Sequence, residues 1–301
     1  MEIVVGTRGS RLALIQTRWV MEQLKAVYPE LQFKTKIINT TGDLNQHLSL
    51  DKIGDKGLFV KEIEQQLLNK NIDIAVHSMK DMPGSLPPGL KFATVPKRVD
   101  ARDVLILKEG YQSLCDLPDG ATIGTGSKRR KYQLLRQRPD LCIVPIRGNI
   151  ETRIEKIATE PLDGIVLAAA GLIRAGLVQR ISSYLPIEIM LPAPAQGALA
   201  IEIREADTKL AMLIKSIKDE IAEIQVTAER GFLEGIEGSC HIPIGAYSQI
   251  VGDQMILSGL YGDEQGEILI KKTITGKVEE ARTLGLKLAN NVLKEYKAYA
   301  R

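Results

Sequence analysis

The feature that most constrains this chain is the alternation of short apolar runs with amphipathic segments from residue 1 to residue 192. The runs at residues 3–5 and 72–76 predict buried strands, whereas residues 12–27 repeat apolar side chains at helical spacing. The same alternation returns from residue 101 onwards. Strands that alternate with helices predict mostly parallel sheets with helices on their faces.

Two glycine-bearing loops echo each other in these two series. GTRGS at residues 6–10 and GTGS at residues 124–127 each lie between a predicted strand and a predicted helix. Two matches this short are compatible with coincidence. They are equally compatible with two similar α/β domains, each of which offers a helix N-terminus to one cleft.

The character of the sequence changes after the Pro/Gly-rich crossover LPAPAQG at residues 191–197. A predicted helix reaches residue 236, and a Gly-Ser-Cys loop follows it. Three strand-like runs at residues 246–250, 255–261 and 268–275 are separated by turn signals, and a helical segment closes the chain. This order predicts a small α+β domain with an antiparallel meander.

Composition excludes several classes of function. Lys and Arg number 40 against 37 Asp and Glu, and only 4% of residues are aromatic, which argues against a bulk nucleic-acid binder. No apolar run approaches ~18 residues, so no membrane-spanning helix is expected. The three cysteines and three histidines form no CxxC or clustered ligand set, so we expect neither a disulfide framework nor a metal site. A strand-like N-terminus without a secretory pattern and this cysteine usage favour the cytoplasm.

Basic residues recur just after predicted strands, at or near helix N-termini. Backbone N–H groups and the helix dipole favour anions there, and arginine adds a planar fork that grips a carboxylate with two hydrogen bonds. The pattern predicts a ligand with several carboxylates, although a solvated surface remains the alternative for any single arginine. These residues are Arg8, Arg11, Lys128, Arg129, Arg130, Lys131, Arg147, Arg153 and Arg174.

Two further places have residues suited to chemistry. Lys80 and Asp81 follow a buried strand, where a carboxylate can stabilise a developing cation and move a proton, or can simply cap a turn. Cys240 lies in the predicted Gly-Ser-Cys loop as a nucleophile, an attachment point or a small buried hydrophobe. A Cys–His hydrolase pair through His77 or His241 also stays open, without an evident third residue.

Taken together, several stretches resemble the porphobilinogen deaminase family. They cover nearly the whole chain in order, and long motifs in register are more specific than any single pattern. The stretches are GDKGLFVKE at residues 54–62, HSMKDMP at 77–83, RGN at 147–149 with Arg153, PAQG at 194–197 and ERGFLEGIEGSCHIPIG at 229–245.

The resemblance implies the fold. Two similar periplasmic-binding-protein-like α/β domains would be followed by a small α+β domain with a three-stranded antiparallel sheet. The first domain would comprise residues 1–98 and 197–216, the second residues 101–192, and the third, with the cysteine, residues 220–301.

The resemblance also implies the activity. Four porphobilinogen molecules would be deaminated and joined head-to-tail on a dipyrromethane cofactor, thioether-linked to Cys240, and hydroxymethylbilane would be released by hydrolysis. Asp81 would be the catalytic carboxylate. The cofactor's acid groups would be held by Lys80, Ser127, Arg129, Arg130 and Arg153. The substrate would be held by Arg8, Ser10, Gln16, Arg147 and Arg174, with Lys56 on a segment over the cleft.

The remaining expectations concern two residues without a role, the oligomeric state and the alternative functions. The resemblance gives His241 and Lys128 no role, and it implies a monomer without an obligate protein partner. A non-catalytic α/β protein that binds polycarboxylates is the first alternative, because it too explains the arginines and the paired loops. A nucleic-acid binder that uses residues 128–131 is the second, although that run of charge has no interleaved aromatic side chains.

Overall fold

The computed structural model describes residues 2–41, 60–236 and 242–299. In these ranges the strands are β1 (Glu2–Thr7), β2 (Gln32–Ile37), β3 (Ile74–Ser78), β4 (Leu90–Phe92), β5 (Asp103–Leu107), β6 (Thr122–Gly124), β7 (Cys142–Val144), β8 (Gly164–Ala168), β9 (Ser183–Tyr184), β10 (Leu199–Arg204), β11 (Ile244–Val251), β12 (Gln254–Gly262) and β13 (Leu269–Lys277). The α-helices are α1 (Arg11–Val27), α2 (Lys61–Leu68), α3 (Lys128–Gln137), α4 (Ile150–Thr159), α5 (Ala169–Ala175), α6 (Thr208–Ile214), α7 (Glu220–Ile236) and α8 (Ala281–Tyr299).

The chain forms two compact units, and each is built from two separate stretches of sequence. The first unit comprises residues 1–99 and 198–226, and the second comprises residues 100–197 and 227–301. The predicted second and third domains therefore fall within one unit here, and the division into three domains remains a prediction.

The first unit contains a five-stranded sheet, called sheet A, with the order β2-β1-β3-β10-β4. β2, β1 and β3 run parallel to one another, whereas β10 is antiparallel to both β3 and β4. β10 comes from the distant segment that follows the Pro/Gly crossover, so the sheet is completed only when the chain returns to this unit.

The second unit repeats this arrangement in sheet B, with the order β7-β6-β8-β5-β9. β7, β6 and β8 are parallel, and β5 is antiparallel to both β8 and β9. Gly6 pairs with Ala75 in sheet A and Gly124 pairs with Ile165 in sheet B, so the two glycine loops leave equivalent strands. The echo between the loops therefore has a structural basis and is not a coincidence.

Both sheets are covered by helices on both faces, as their alternating burial requires. In sheet A, Ile74 and Val76 pack with the face that α1 and α6 cover, whereas Ala75 packs with α2 on the other face. In sheet B, Val166 packs with α3, and Ile165 packs with α4 and α5. The buried hydrophobic residues that pack on the two sheets are thus aliphatic, in keeping with the low aromatic content.

Local sequence signals fix where several helices begin and end. The side chains of Ser10, Ser127, Asn149 and Asp207 accept hydrogen bonds from backbone N–H groups in the first turns of α1, α3, α4 and α6. Gly176 ends α5 in the left-handed conformation, with φ 71°. The first two caps place helix N-termini directly after the glycine loops.

The C-terminal part of the second unit is a three-stranded antiparallel meander, β11-β12-β13, against which α8 packs. Gly285 of α8 lies so close to the backbone of α7 that an added Cβ would collide with the Ala228 carbonyl. Buried Glu229 of α7 accepts hydrogen bonds from the Ala195 amide (2.7 Å) and from the amide and hydroxyl of Ser248 (3.0 Å each). One carboxylate therefore links α7, the crossover and β11.

These observations confirm the predicted fold class, a mixed α/β fold with a small antiparallel C-terminal sheet. Each C-terminal strand is longer than predicted, because the ladder pairs reach Ile244, Gln254 and Lys277. Among the described helices, none combines the length and the hydropathy needed to cross a membrane.

Candidate functional site

In the first unit, the predicted site residues gather at the carboxyl edge of sheet A. β1 and β3 are parallel neighbours, so the segments that follow them emerge at the same edge. Arg8 and Ser10 follow β1, and Lys80 and Asp81 follow β3. The Ser10 hydroxyl accepts a hydrogen bond from the Ala13 amide (3.3 Å), which fixes the start of α1 beside this edge.

Gln16 ties helix α1 to the end of β3. Its side chain is 3% exposed, and its Nε2 donates to the Ser78 hydroxyl over 2.9 Å. Ser78 is the last residue of β3, directly before the turn that contains Asp81. Gln16 therefore holds the two segments in register, and the substrate contact implied by the resemblance remains a prediction for this residue.

Asp81 lies on a short 3₁₀ turn, Met79–Asp81, that is held firmly at its base. The Met79 amide donates to the Ala198 carbonyl (3.0 Å), the Met82 amide donates to the Met79 carbonyl (3.1 Å), and the Met79 side chain is buried. Asp81 itself is exposed. The turn thus presents a carboxylate from a rigid base at the carboxyl edge of the sheet.

In the second unit, basic residues occupy the corresponding edge of sheet B. The Ser127 hydroxyl, after β6, accepts a hydrogen bond from the Arg130 amide at the start of α3 (3.4 Å). Arg147 follows β7, and Arg174 lies on α5 after β8. The three strands are parallel, so these residues and Arg153 near the start of α4 emerge on one side of the sheet.

Arg129 and Arg130 of α3 are buried and share one carboxylate. Arg129 Nη1 donates to Asp103 Oδ2 over 2.6 Å, and Arg130 donates to Asp103 Oδ1 through Nε (3.0 Å) and Nη2 (2.8 Å). Arg129 also donates to the Leu191 carbonyl (2.8 Å). Two guanidinium groups against one carboxylate leave these three side chains with more positive than negative charge.

The remaining arginines of this edge are partly exposed. Arg174 donates to the Gly197 carbonyl (2.8 Å), and burial of its guanidinium lowers its pKa to about 10. Arg153 Nε donates to the Gly148 carbonyl (2.7 Å). The Arg147 side chain makes no hydrogen bond or ion pair with the described residues. A carboxylate of a ligand would offset the desolvation of the Arg174 guanidinium. A ligand carboxylate could also pair with the Arg147 side chain.

Three predicted residues, Lys56, Cys240 and His241, lie outside the described residues. The roles given to the others remain predictions, although the structure brings them together in two groups, one at each sheet edge. Lys128, which was given no role, lies 3.6 Å from the Glu264 carboxylate. No cluster of potential metal ligands occurs in the described ranges.

Sequence reasoning missed two buried polar clusters. One consists of Asp103 and Gln196 around the paired arginines, and its only sequence signal is an acid at the head of the apolar strand DVLIL. The other joins His77 to Glu202 over 3.1 Å, next to Glu64 on α2. Burial, followed by the charge of Glu202, raises the pKa of Glu64. His77 thus has a carboxylate partner within the first unit.

Among solved structures, similarity is distant. A BvgS VFT2 domain from Bordetella pertussis gives a TM-score of 0.44 at 15% identity, covering 76% of this chain and 91% of that chain. The BenM effector binding domain with benzoate gives 0.42 at 15% identity, covering 72% and 90%.

Similarity in sequence is much closer. The porphobilinogen deaminase of Clostridioides difficile (strain 630) is 65% identical over 299 residues, which cover 99% of both chains. That of Clostridium novyi (strain NT) is 57% identical, over 98% of this chain and 99% of the relative. Residues 3–212 match the model of the dipyromethane cofactor binding domain of porphobilinogen deaminase, and residues 223–294 match that of its C-terminal domain. The chain belongs to the porphobilinogen deaminase family.

Proposed function

We propose that this enzyme deaminates four porphobilinogen molecules, joins them head-to-tail on a dipyrromethane bound through Cys240, and releases hydroxymethylbilane by hydrolysis. The observation that carries the proposal is the match to both family domains, which together span nearly the whole chain. A protein that only binds polycarboxylates would not need the exposed carboxylate that Asp81 presents at the carboxyl edge of sheet A.

The donor set fits the cofactor. Each pyrrole ring of a dipyrromethane carries an acetate and a propionate, so the group needs several cationic or hydroxyl partners. Guanidinium groups and a helix N-terminus are the strongest such partners in proteins, and the edge of sheet B supplies both. We assign the cofactor's acid groups to Lys80, Ser127, Arg129, Arg130 and Arg153. When bound, the cofactor supplies the free pyrrole α-carbon on which the product is built.

Asp81 is the group we assign to the chemistry. Loss of ammonia from porphobilinogen leaves positive charge on the pyrrole ring, and a carboxylate near the ring nitrogen stabilises that charge. The free α-carbon of the terminal pyrrole would then attack the methylene carbon, and the proton on that α-carbon would leave as the ring regains its aromaticity. The carboxylate of Asp81 can accept a proton in this step. The rigid base of the Met79–Asp81 turn limits the cost of holding it in place.

The substrate's carboxylates fall to the remaining cations. We assign them to Arg8, Arg147 and Arg174, with Ser10, Gln16 and Lys56 as further partners. Gln16 also holds α1 against β3. The desolvated guanidinium of Arg174 supports this assignment. Burial removes water from the charged group, and a bound carboxylate would stabilise the charge in its place.

We further propose three domains with the boundaries expected from the resemblance, a monomeric state and a cytoplasmic location. The described cysteines, Cys115 and Cys142, are both free thiols at the surface, as expected for a reducing compartment. Porphobilinogen is then the one small-molecule partner that the proposal requires.

Intact mass measurement tests the covalent part of the proposal. The purified protein should exceed its sequence mass by two porphobilinogen units less two ammonia molecules, and substrate should add discrete heavier species. Cys240→Ala should remove the excess mass and the turnover, because alanine has no nucleophile. Cys115→Ala and Cys142→Ala are the matched controls and should retain both. An active preparation with the bare sequence mass would refute the attachment at Cys240.

A further inference from the structure

Asp103 is a buried carboxylate at the head of β5, with no place in the chemistry assigned above. It is 0% exposed, and its two oxygens accept hydrogen bonds from Arg129, Arg130 and the Gln196 side chain (3.0 Å). Gln196 is also 0% exposed and donates to the Ala101 carbonyl over 2.7 Å. Gln196 therefore fixes the carboxylate of Asp103, which in turn accepts hydrogen bonds from both arginines.

Asp103 faces the start of helix α3, where the helix's own residues oppose its dipole. Its first four residues, Lys128 to Lys131, are all basic. The N-terminal turn of a helix has a partial positive charge, so cations there are disfavoured and acidic residues are normally preferred. Asp103, which lies 26 residues before Arg129 in the sequence, supplies the missing negative charge from the neighbouring strand.

The fold itself does not require this cluster. Asp103 pairs with Ala168 in sheet B as Leu199 pairs with Ser78 in sheet A. At the positions of Arg129 and Arg130 after the Ser127 cap, the first unit has Leu12 and Ala13 after the Ser10 cap. The same strand order thus forms with apolar residues at all three places.

We infer that Asp103 is a positioning residue that orients Arg129 and Arg130 toward the acid groups of the dipyrromethane. The inference rests on the proposed function, because it takes those two arginines as cofactor ligands. A single carboxylate between two guanidinium groups offsets their repulsion and fixes the planes of both, while leaving them a net attraction for a further anion. Gln196 fixes the carboxylate in turn.

The test uses cofactor-free protein incubated with porphobilinogen, and its readout is the fraction loaded, measured by intact mass. Asp103→Asn keeps the shape of the side chain but removes its charge. We expect the half-saturating porphobilinogen concentration for loading to rise about tenfold or more, since contacts to charged groups are involved. Circular dichroism and the melting temperature restrict the comparison to folded protein.

Asp163→Asn is the matched control. Asp163 lies in the same unit and accepts a hydrogen bond from the Thr122 amide over 2.8 Å, at the start of β6. It should load like the wild type. If Asp103→Asn does not fold, Asp103→Glu decides, because it keeps the charge but displaces it. A higher half-saturating concentration for loading supports the inference, and an unchanged one overturns it.

A parallel measurement on Arg130→Leu separates the positioning role of Asp103 from the assignment of Arg130 as a cofactor ligand. If Arg130→Leu fails to load while folded Asp103→Asn loads normally, the positioning role is wrong and the arginine assignment stands. If Arg130→Leu loads normally, the arginine assignment itself is wrong, and the positioning role is overturned with it.

Discussion

Sheets A and B share one strand order, yet they differ in where they bury charge. On the face that α3 covers, sheet B places Asp103 against two arginines, whereas the equivalent position in sheet A is Leu199 in an aliphatic core. On the opposite face, sheet A has the buried ionisable residues and sheet B has the apolar ones. Sheet A buries His77 against Glu202, where register equivalence gives Leu167 and Ile106 in sheet B.

This difference between the sheets distinguishes residues that the shared strand order requires from residues that are particular to one unit. A position that is leucine in one sheet and a buried acid in the other is not set by the strand order, since both residues satisfy the same backbone. Burying a charge costs several kcal/mol unless it is paired. A paired charge at such a position is therefore a property of the individual unit and not of the shared strand order.

The largest expected effect concerns the turn after β3, where the first unit has Asp81 on a 3₁₀ turn and the second has the start of α5. Asp81→Asn should leave the fold intact and lower turnover by ~10²–10⁴-fold, because the amide cannot balance a pyrrole cation or take a proton. Steady-state turnover of cofactor-loaded protein measures this. Near-normal turnover of the variant would remove Asp81 from the mechanism.

The arginines at the edge of sheet B should fall into two classes. Arg129→Leu should prevent stable cofactor assembly, whereas Arg147→Leu and Arg174→Leu should give loaded enzyme that extends its product poorly. Each loss removes a charge-assisted contact of about 1.5–3 kcal/mol, or roughly tenfold or more in affinity or rate. Loaded fraction and turnover, measured side by side, distinguish the classes. Equal and slight effects at all three sites would favour a solvated surface instead.

A smaller effect tests the likeness of the two sheets. Asp73 accepts from the Val4 amide (2.9 Å) and Asp163 from the Thr122 amide (2.8 Å), at equivalent strand starts. Replacement of either aspartate by alanine should lower the free energy of unfolding by about 1–3 kcal/mol. The loss should be greater for Asp73, which also pairs with Arg204 (2.8 Å). Urea unfolding measures both, and no change in either variant would contradict the equivalence.

The smallest effect concerns the buried acid of the first unit. The folded-state pKa of Glu64 is raised by burial and by Glu202, so the folded state holds a proton that the unfolded state loses near the ordinary value of 4.5. Stability should therefore fall as the pH rises from 4.5 through the raised pKa. Glu64→Gln should flatten that fall, because glutamine has no proton to lose in this range. Urea unfolding over this pH range checks it; an unchanged slope would exclude Glu64 as its source.

Much of the frame was predictable because its signals are local. Apolar runs, helical spacing and the Ser10 and Ser127 caps depend on residues close in sequence. They therefore predicted the strands, the helix starts and the position of Arg8, Asp81 and Arg147, each just after a strand. The resemblance added what no pattern could, the cofactor and its attachment at Cys240.

Tertiary structure alone decided the rest. That β10 completes sheet A and β5 completes sheet B depends on pairing between distant segments, for which a strand's own sequence names no partner. The pairing of His77 with Glu202 spans 125 residues, and that of Asp103 with Arg129 spans 26. An acidic residue within an apolar strand breaks the hydrophobic pattern, and the sequence does not show which residue pairs with it. Only the folded chain shows whether the buried charge is compensated.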